Sequence, residues 1–317
     1  MRTASYRRRR RTRTATVVAT LITTALAVTS CASGGSSDSS GSDKLKIVTS
    51  TSMWGSVAKA VGGDAVEVEP VISNDEADPH SYKSTPRDAA KILDADLVIY
   101  NGGGYDSFIP QTLSGNGRSV PTVRAVESPH GSSGHEHGHE HSGNEHVWYD
   151  LSAVQEMTGK ITGKLGELRP AETATFQRSA ETFHSRLGEL QGRVDRIKSA
   201  HGGAQVLATA PVADLLLEQA GLNDITPPSF VHSVESGNDP SAAATARVRD
   251  LVKSGRAAVL VHNPQTSSPL TKRIESQAEH AGIPVVEMGE SLPEGRTYLE
   301  WMGARISKLR TALDNPA

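Results

Sequence analysis

Residues 170–200, PAETATFQRSAETFHSRLGELQGRVDRIKSA, decide how the rest of the chain is arranged. Their apolar positions recur at alternating spacings of four and three residues, so they form one stripe along a helix: Phe176, Ala180, Phe183, Leu187, Leu190, Val194 and Ile197. Pro170 suits the first turn of a helix, and Gly202 with Gly203 suits its end. Such a helix extends about 45 Å, which is enough to connect two lobes. A coiled-coil segment is the alternative, but one isolated stretch between two α/β halves favours an intramolecular strut.

Short apolar segments alternate with helical ones on both sides of this stretch. Upstream, KLKIVTS (44–50), VEVEPVI (66–72) and ADLVIY (95–100) have the pattern of strands. Downstream, QVLAT (205–209), AAVLV (257–261) and PVVE (284–287) repeat it. Strands that alternate with helices indicate parallel sheets. We therefore predict an α/β fold of two lobes with parallel β-sheets flanked by helices, divided into an N-terminal lobe, one long rigid linking helix and a C-terminal lobe over 44–169, 170–200 and 201–317.

The N-terminus has the composition of an export signal. Its first 30 residues, of 317, contain seven arginines and no acidic residue. The apolar run that follows the arginines, ATVVATLITTALAV (15–28), is shorter than the roughly 20 residues of a membrane-spanning helix. A basic segment, a short apolar run and small residues are typical of a secretory signal, so we predict a signal peptide over 1–30.

The single cysteine directly follows this signal. Val28-Thr29-Ser30-Cys31 resembles the bacterial lipobox, in which cleavage leaves the cysteine first and a lipid on its sulfur anchors the protein. We expect a lipid on Cys31, a flexible Gly/Ser/Asp-rich tether over 31–43, and a location on the extracytoplasmic face of the cell membrane. The alternative is an unmodified cysteine beside an ordinary signal peptide. One cysteine also excludes an internal disulfide and a cysteine-based zinc site.

The charge of the remaining chain argues against a nucleic-acid partner. Outside the signal, 26 basic residues face 36 acidic ones. Nucleic-acid binding depends on clustered Lys and Arg, which this acidic body lacks. We therefore expect no nucleic acid among the partners.

Histidines are concentrated in one polar segment, SPHGSSGHEHGHEHSG (128–143). It has no apolar periodicity, so we predict a solvated loop over 130–143. Imidazoles with interleaved glutamates can collect zinc, copper or nickel weakly, which makes these an auxiliary metal loop: His135, His137, His139 and His141. A flexible loop cannot preset a coordination geometry, and the alternative is a spacer whose histidines bind nothing.

Two histidines lie in sharper motifs. DPHSYKSTPRD (78–88) occupies the connection between a strand and a helix, where α/β sheets bind ligands, and HVWYDL (146–151) directly follows the histidine-rich loop. Together they resemble the zinc- and manganese-binding solute-binding proteins of ABC importers, the cluster with two lobes joined by a rigid helix. The resemblance covers nearly all of 44–313 and implies that His80 is the first metal ligand and His146 the second.

The second lobe shows one match and one departure from that family. GESLP (289–293), with Thr297, Tyr298, Trp301 and Met302, is similar to the family segment that supplies a carboxylate, which implies Glu290 as a ligand. The family's third ligand, a histidine or glutamate, corresponds by counting to Ala210, which cannot bind a metal. The resemblance then implies at most three protein ligands, completed by water or a loop residue. Asp214, His232 and His262 are candidate substitutes, although none follows from its spacing.

The resemblance implies capture of a divalent metal outside the cytoplasm and its delivery to an ABC permease and its ATPase. Two imidazoles and a carboxylate suit Zn²⁺, with Mn²⁺ as the second choice. The alternatives are a manganese importer component, a surface adhesin, or a metal buffer that is not coupled to transport. The chain contains no GxxxxGK[ST] loop and no GxSxG elbow, and we expect a monomer without enzymatic activity.

Overall fold

The computed structural model describes residues 44–74, 79–115, 117, 119–126 and 144–315. The predicted signal peptide, Cys31, the tether and the histidines of the auxiliary loop lie outside these residues. Both lobes and the linking helix belong to one unit, Ser42–Ala317.

The N-terminal lobe is built on a parallel sheet of four strands in the order β2-β1-β3-β4. Apolar side chains on both sheet faces are buried because helices cover each face, as parallel sheets require. The elements of this lobe are β1 Leu45–Thr51, α1 Ser52–Gly62, β2 Val66–Ile72, α2 Pro86–Leu93, β3 Leu97–Gly102, α3 Phe108–Ser114, β4 Thr122–Val126 and α4 Leu151–Leu168.

The C-terminal lobe repeats this topology with the order β6-β5-β7-β8, again entirely parallel. Its strands are shorter, but its connections also pass through helices. The elements are β5 Gln205–Ala208, α6 Asp214–Gln219, β6 Asn223–Asp224, α7 Pro228–Glu235, α8 Ala242–Lys253, β7 Val259–His262, α9 Pro269–His280, β8 Val285–Glu287 and α10 Tyr298–Asp314.

The linking helix α5 covers Thr173–His201, after a short 3₁₀ turn at Pro170–Glu172. Its buried side chains are the seven of the predicted stripe, so the spacing correctly identified both the helix and its packed face. This stripe packs against α1 and α4 of the N-terminal lobe and against α6 and α10 of the C-terminal lobe. The predicted α/β fold of two helix-flanked lobes with one long connecting helix is confirmed.

Buried hydrogen bonds between segments outside the two sheets connect the lobes. Tyr298 Oη donates to the carbonyl of Trp148 at 2.7 Å, and Tyr149 Oη donates to the carbonyl of Gly289 at 2.9 Å. All four atoms are buried, so these bonds are protected from competition with water. Within the described residues, none of the helices has both the length and the apolar character of a bilayer-spanning segment.

Candidate metal centre

His80 lies in the connection that leaves the carboxyl end of β2. This connection is tied to the start of α2, because Tyr82 Oη donates to Asp88 Oδ2 at 2.9 Å. Asp88 also forms a reciprocal capping box with Thr85, which defines where α2 begins. The His80 side chain, 19% exposed, therefore lies on a loop whose end is hydrogen-bonded to the first turn of α2.

His146 immediately precedes a 3₁₀ turn at Val147–Tyr149. Val147, Trp148 and Tyr149 are all buried, so these motif residues anchor the turn in the core. Asp150 then caps α4 by accepting the backbone N–H groups of its first turn. The HVWYD motif thus holds His146, whose side chain is 1% exposed, against a buried turn.

Glu290 follows β8 and is fully buried. Each of its carboxylate oxygens accepts a hydrogen bond: Oε1 from Asn263 Nδ2 at 2.6 Å, and Oε2 from Tyr105 Oη at 3.1 Å. Burial, followed by the charge of Glu290, raises the pKa of Tyr105, which keeps that hydroxyl protonated and donating. A buried carboxylate with one hydrogen-bond donor on each oxygen is held in a single orientation.

Glu235 is the fourth residue at this site, and the sequence reasoning missed it. It is the last residue of α7, and its side chain is 11% exposed. It belongs to no motif and is one of 36 acidic residues, so no sequence signal distinguished it. The structure thus offers one candidate donor more than the three that the resemblance implies, because α7 supplies Glu235 in the lobe where Ala210 replaces the family's third ligand.

One potential donor atom from each of His80, His146, Glu235 and Glu290 lies within 4.8 Å of the others. Glu235 Oε1 is 2.9 Å from His80 Nε2 and 3.0 Å from His146 Nε2. Glu290 Oε2 is 3.5 Å and 3.8 Å from the same two nitrogens. Tetrahedral zinc with bonds of about 2.1 Å separates its donors by about 3.4 Å, so these four distances bracket the spacing that zinc requires.

The charges of this cluster are strongly coupled. Burial opposes protonation of His80, but the hydrogen bonds to Glu235 and Glu290 outweigh it and raise its pKa to about 10. Burial likewise favours neutral Glu235, but hydrogen bonds from His146 and His80 outweigh it and lower its pKa to about 2. The metal-free site therefore holds a proton on His80 that a divalent cation can replace.

Ala210 and its candidate substitutes Asp214, His232 and His262 are not among the four clustered donors. Ala210 is buried and has no donor atom. His232 is exposed, and buried His262 lies near Thr209 Oγ1 at 3.4 Å and Glu275 Oε2 at 3.9 Å instead. Burial, then the neighbouring charge of Asp224, raises the pKa of Asp214 to about 7, but its carboxylate is not one of the four clustered donors.

The chain is similar to known proteins over most of its length. The chain is 25% identical over 296 residues to the zinc-binding lipoprotein AdcA of Streptococcus pneumoniae, covering 86% of this chain but only 56% of that relative. The chain thus spans about half the length of this relative. It is 24% identical to the high-affinity zinc uptake system protein ZnuA of Bacillus subtilis, over 91% of this chain and 94% of that protein.

A solved structure shares the fold. The periplasmic zinc-binding protein TroA from Treponema pallidum superposes with a TM-score of 0.69 at 18% identity, over 85% of this chain and 99% of that one. Residues 47–312 match the family model of the periplasmic zinc-uptake complex component A, ZnuA. This match covers most of the sequence, and the chain therefore belongs to the ZnuA family.

Proposed function

We propose that this protein captures a divalent transition metal, most favourably zinc, outside the cytoplasm and delivers it to an ABC permease driven by its ATPase. The observation that carries the proposal is the convergence of four donors from both lobes on one point. His80 and His146 come from the N-terminal lobe, and Glu235 and Glu290 come from the C-terminal lobe. A metal bound by both lobes holds the donor-bearing loops in one arrangement, a local difference that a permease can distinguish from the metal-free form.

The chemistry of the donor set supports zinc as the cargo. Two neutral imidazoles and two carboxylates neutralise one divalent cation, and the spacing of their atoms suits a tetrahedral ion. Carboxylates also suit manganese, which accepts further water ligands. At a given site of nitrogen and oxygen donors, zinc binds more tightly than manganese, so zinc is the expected cargo.

The named relatives support the cellular setting. AdcA is named a lipoprotein, and the lipobox-like Val28-Thr29-Ser30-Cys31 places a cysteine where a lipid would be attached. A lipid on Cys31 and the tether over 31–43 would keep the metal site near the outer surface of the membrane. Replacing Cys31 with serine should release the protein from membranes, and retention of the variant would contradict the anchor.

Metal titration tests the function itself. The protein from residue 32 onward, without bound metal, should bind zinc with a stoichiometry of one at high affinity, and a variant without residues 130–143 should retain this tight site. His80→Ala should abolish tight binding, and cooperative thermal unfolding of the metal-free variant would show that it still folds. Tighter binding of manganese than of zinc would reassign the cargo, and absence of tight binding to either metal would overturn the proposal.

A further inference from the structure

The residue two positions before His146 contacts that histidine and the opposite lobe at once. Asn144 Oδ1 accepts the backbone N–H of His146 at 2.9 Å and lies 2.8 Å from its ring nitrogen Nδ1. The other end of the same amide, Nδ2, donates to the carbonyl of Pro211 at 2.9 Å. Pro211 begins the 3₁₀ turn after β5 in the C-terminal lobe, so one side chain connects a candidate ligand with the facing lobe.

These partners determine which end of the amide faces the histidine. The Pro211 carbonyl can only accept, and the His146 backbone N–H can only donate. Rotating the Asn144 amide by 180° would bring its NH₂ group against the His146 N–H, so that two donors faced each other. It would also bring its oxygen against the Pro211 carbonyl, so that two acceptors faced each other. Oδ1 must therefore face His146, and a proton on Nδ1 is needed to complete the contact.

When a metal replaces the hydrogen bond from Nε2 to Glu235, a ring that keeps its proton on Nδ1 presents the lone pair of Nε2 to the metal. Nε2 is the atom that lies 3.0 Å from Glu235 Oε1 and 3.8 Å from Glu290 Oε2. A ligating histidine requires this arrangement, because its second nitrogen is usually held by a hydrogen-bond acceptor that orients the ring and increases its basicity. His146 is almost completely buried, which prevents water from substituting for that acceptor.

We propose, resting on the metal-capture function above, that Asn144 is a positioning residue that holds His146 in the tautomer ready for metal, with its own orientation set by the C-terminal lobe. Contact with Pro211 of the C-terminal lobe thereby orients Asn144, and Asn144 in turn orients His146 of the N-terminal lobe. Separation of Asn144 from Pro211 would free the amide to rotate and would weaken the hold on His146. This couples lobe contact to metal affinity through a single side chain.

The chain offers a matched control for this contact. Gln219 Nε2, on α6, donates across the same lobe interface to Asp150 Oδ1 at 2.7 Å. Asp150 Oδ1 keeps other donors from Ser152 and Ala153 when Gln219 is removed. Gln219→Ala therefore deletes a bond between the lobes without altering the surroundings of His146.

The experiment compares zinc affinity in the wild type, N144A, N144D and Q219A. Asn144→Ala should raise the zinc Kd about 10- to 100-fold, the usual effect of losing a partner of a metal-bound histidine. Asn144→Asp keeps an acceptor for Nδ1–H and should restore most of the affinity, and Gln219→Ala should leave it near the wild-type value. In NMR spectra of the zinc-loaded proteins, the His146 Nδ1–H proton should be observed in the wild type and N144D and should be lost to solvent exchange in N144A.

The contrary outcomes separate this inference from the function on which it rests. If the wild type binds zinc and N144A binds it equally well, or if N144A and Q219A weaken binding to the same extent, the positioning role is wrong. An unchanged Nδ1–H signal in N144A would also overturn it. A wild type without tight metal binding would overturn the proposed function, and this inference with it. Thermal unfolding of the metal-free variants verifies that each one folds.

Discussion

At the scale of single residues, the candidate site is internally paired when no metal is bound. Glu235 Oε1 lies about midway between two imidazoles, at 2.9 Å from one Nε2 atom and 3.0 Å from the other. The carboxylate and a proton on His80 thus hold the donors at nearly the separations that a metal would impose. This arrangement preorganises the site, because binding exchanges a proton for a cation with little movement of side chains.

The protonated His80 predicts how the stability of the metal-free protein varies with pH. Its pKa is raised from 6.5 to about 10 because hydrogen bonds to Glu235 and Glu290 outweigh its burial. A raised pKa contributes stability that is fully present below pH 6.5 and is lost as pH rises through about 10. Urea unfolding between pH 6.5 and 10 should show a decrease in the free energy of unfolding of the wild type, and a much smaller decrease for His80→Gln. Parallel profiles for the two proteins would contradict the pairing.

Glu235→Gln tests the donor that sequence motifs did not identify. The amide keeps the shape of the side chain but removes its charge, so zinc affinity should fall by at least about tenfold, since even an indirect partner of a metal ligand has an effect of that size. Competition with a zinc-binding dye measures the change. Glu189→Gln, on the exposed face of α5, is the matched control and should bind as the wild type does. Equal affinities in the two variants would exclude Glu235 from the site.

At the scale of elements, the linking helix has a structural role that is separable from metal binding. Its buried stripe packs against helices of both lobes, whereas the four clustered donors come from other segments. The regular four-and-three spacing could be read directly from the sequence, because a helix buries residues that are close in the chain. Its ends were predicted to within a few residues for the same reason.

Leu187→Ala should therefore destabilise the fold while leaving the metal site intact. Leu187 is 2% exposed, and truncating a buried leucine costs about 2–5 kcal/mol of unfolding free energy. Zinc affinity of the folded variant should match that of the wild type. Glu189→Ala, two residues along on the exposed face, should change the unfolding free energy by no more than about 0.5 kcal/mol. Comparable losses in both variants would mean that the stripe does not form the packed face.

At the scale of the whole molecule, α5 and the bonds between lobes favour small changes in shape on metal release. Besides the two bonds from Tyr149 and Tyr298 side chains, Ser56 Oγ accepts Tyr298 N–H at 2.8 Å and Ser52 Oγ accepts Leu292 N–H at 3.1 Å. A hinge motion would have to break these contacts together, and it would also have to bend a 29-residue helix. Local adjustment of the donor-bearing loops requires neither.

Solution scattering provides the test at this scale. The radius of gyration of the protein, without its N-terminal 43 residues, should be the same within error before and after zinc is added. Tyr298→Phe, which removes the bond to the Trp148 carbonyl but keeps the packed ring, shows whether that bond restrains the lobes. A clear contraction of the wild type on zinc binding would establish a large hinge closure and contradict this expectation.

Sequence patterns alone predicted the alternation of strands and helices in both lobes, without β4 and β6, together with the packed face of α5 and three of the four candidate donors, because each of these depends on local periodicity or on a recognisable motif. His80, His146 and Glu290 could be named in this way before their distances were known. Only the tertiary structure identified Glu235 as the fourth member and Asn144 as the link between His146 and the Pro211 carbonyl. The physical reason is that these contacts join residues 67 to 155 positions apart in the chain, and only the packing of two lobes sets such distances.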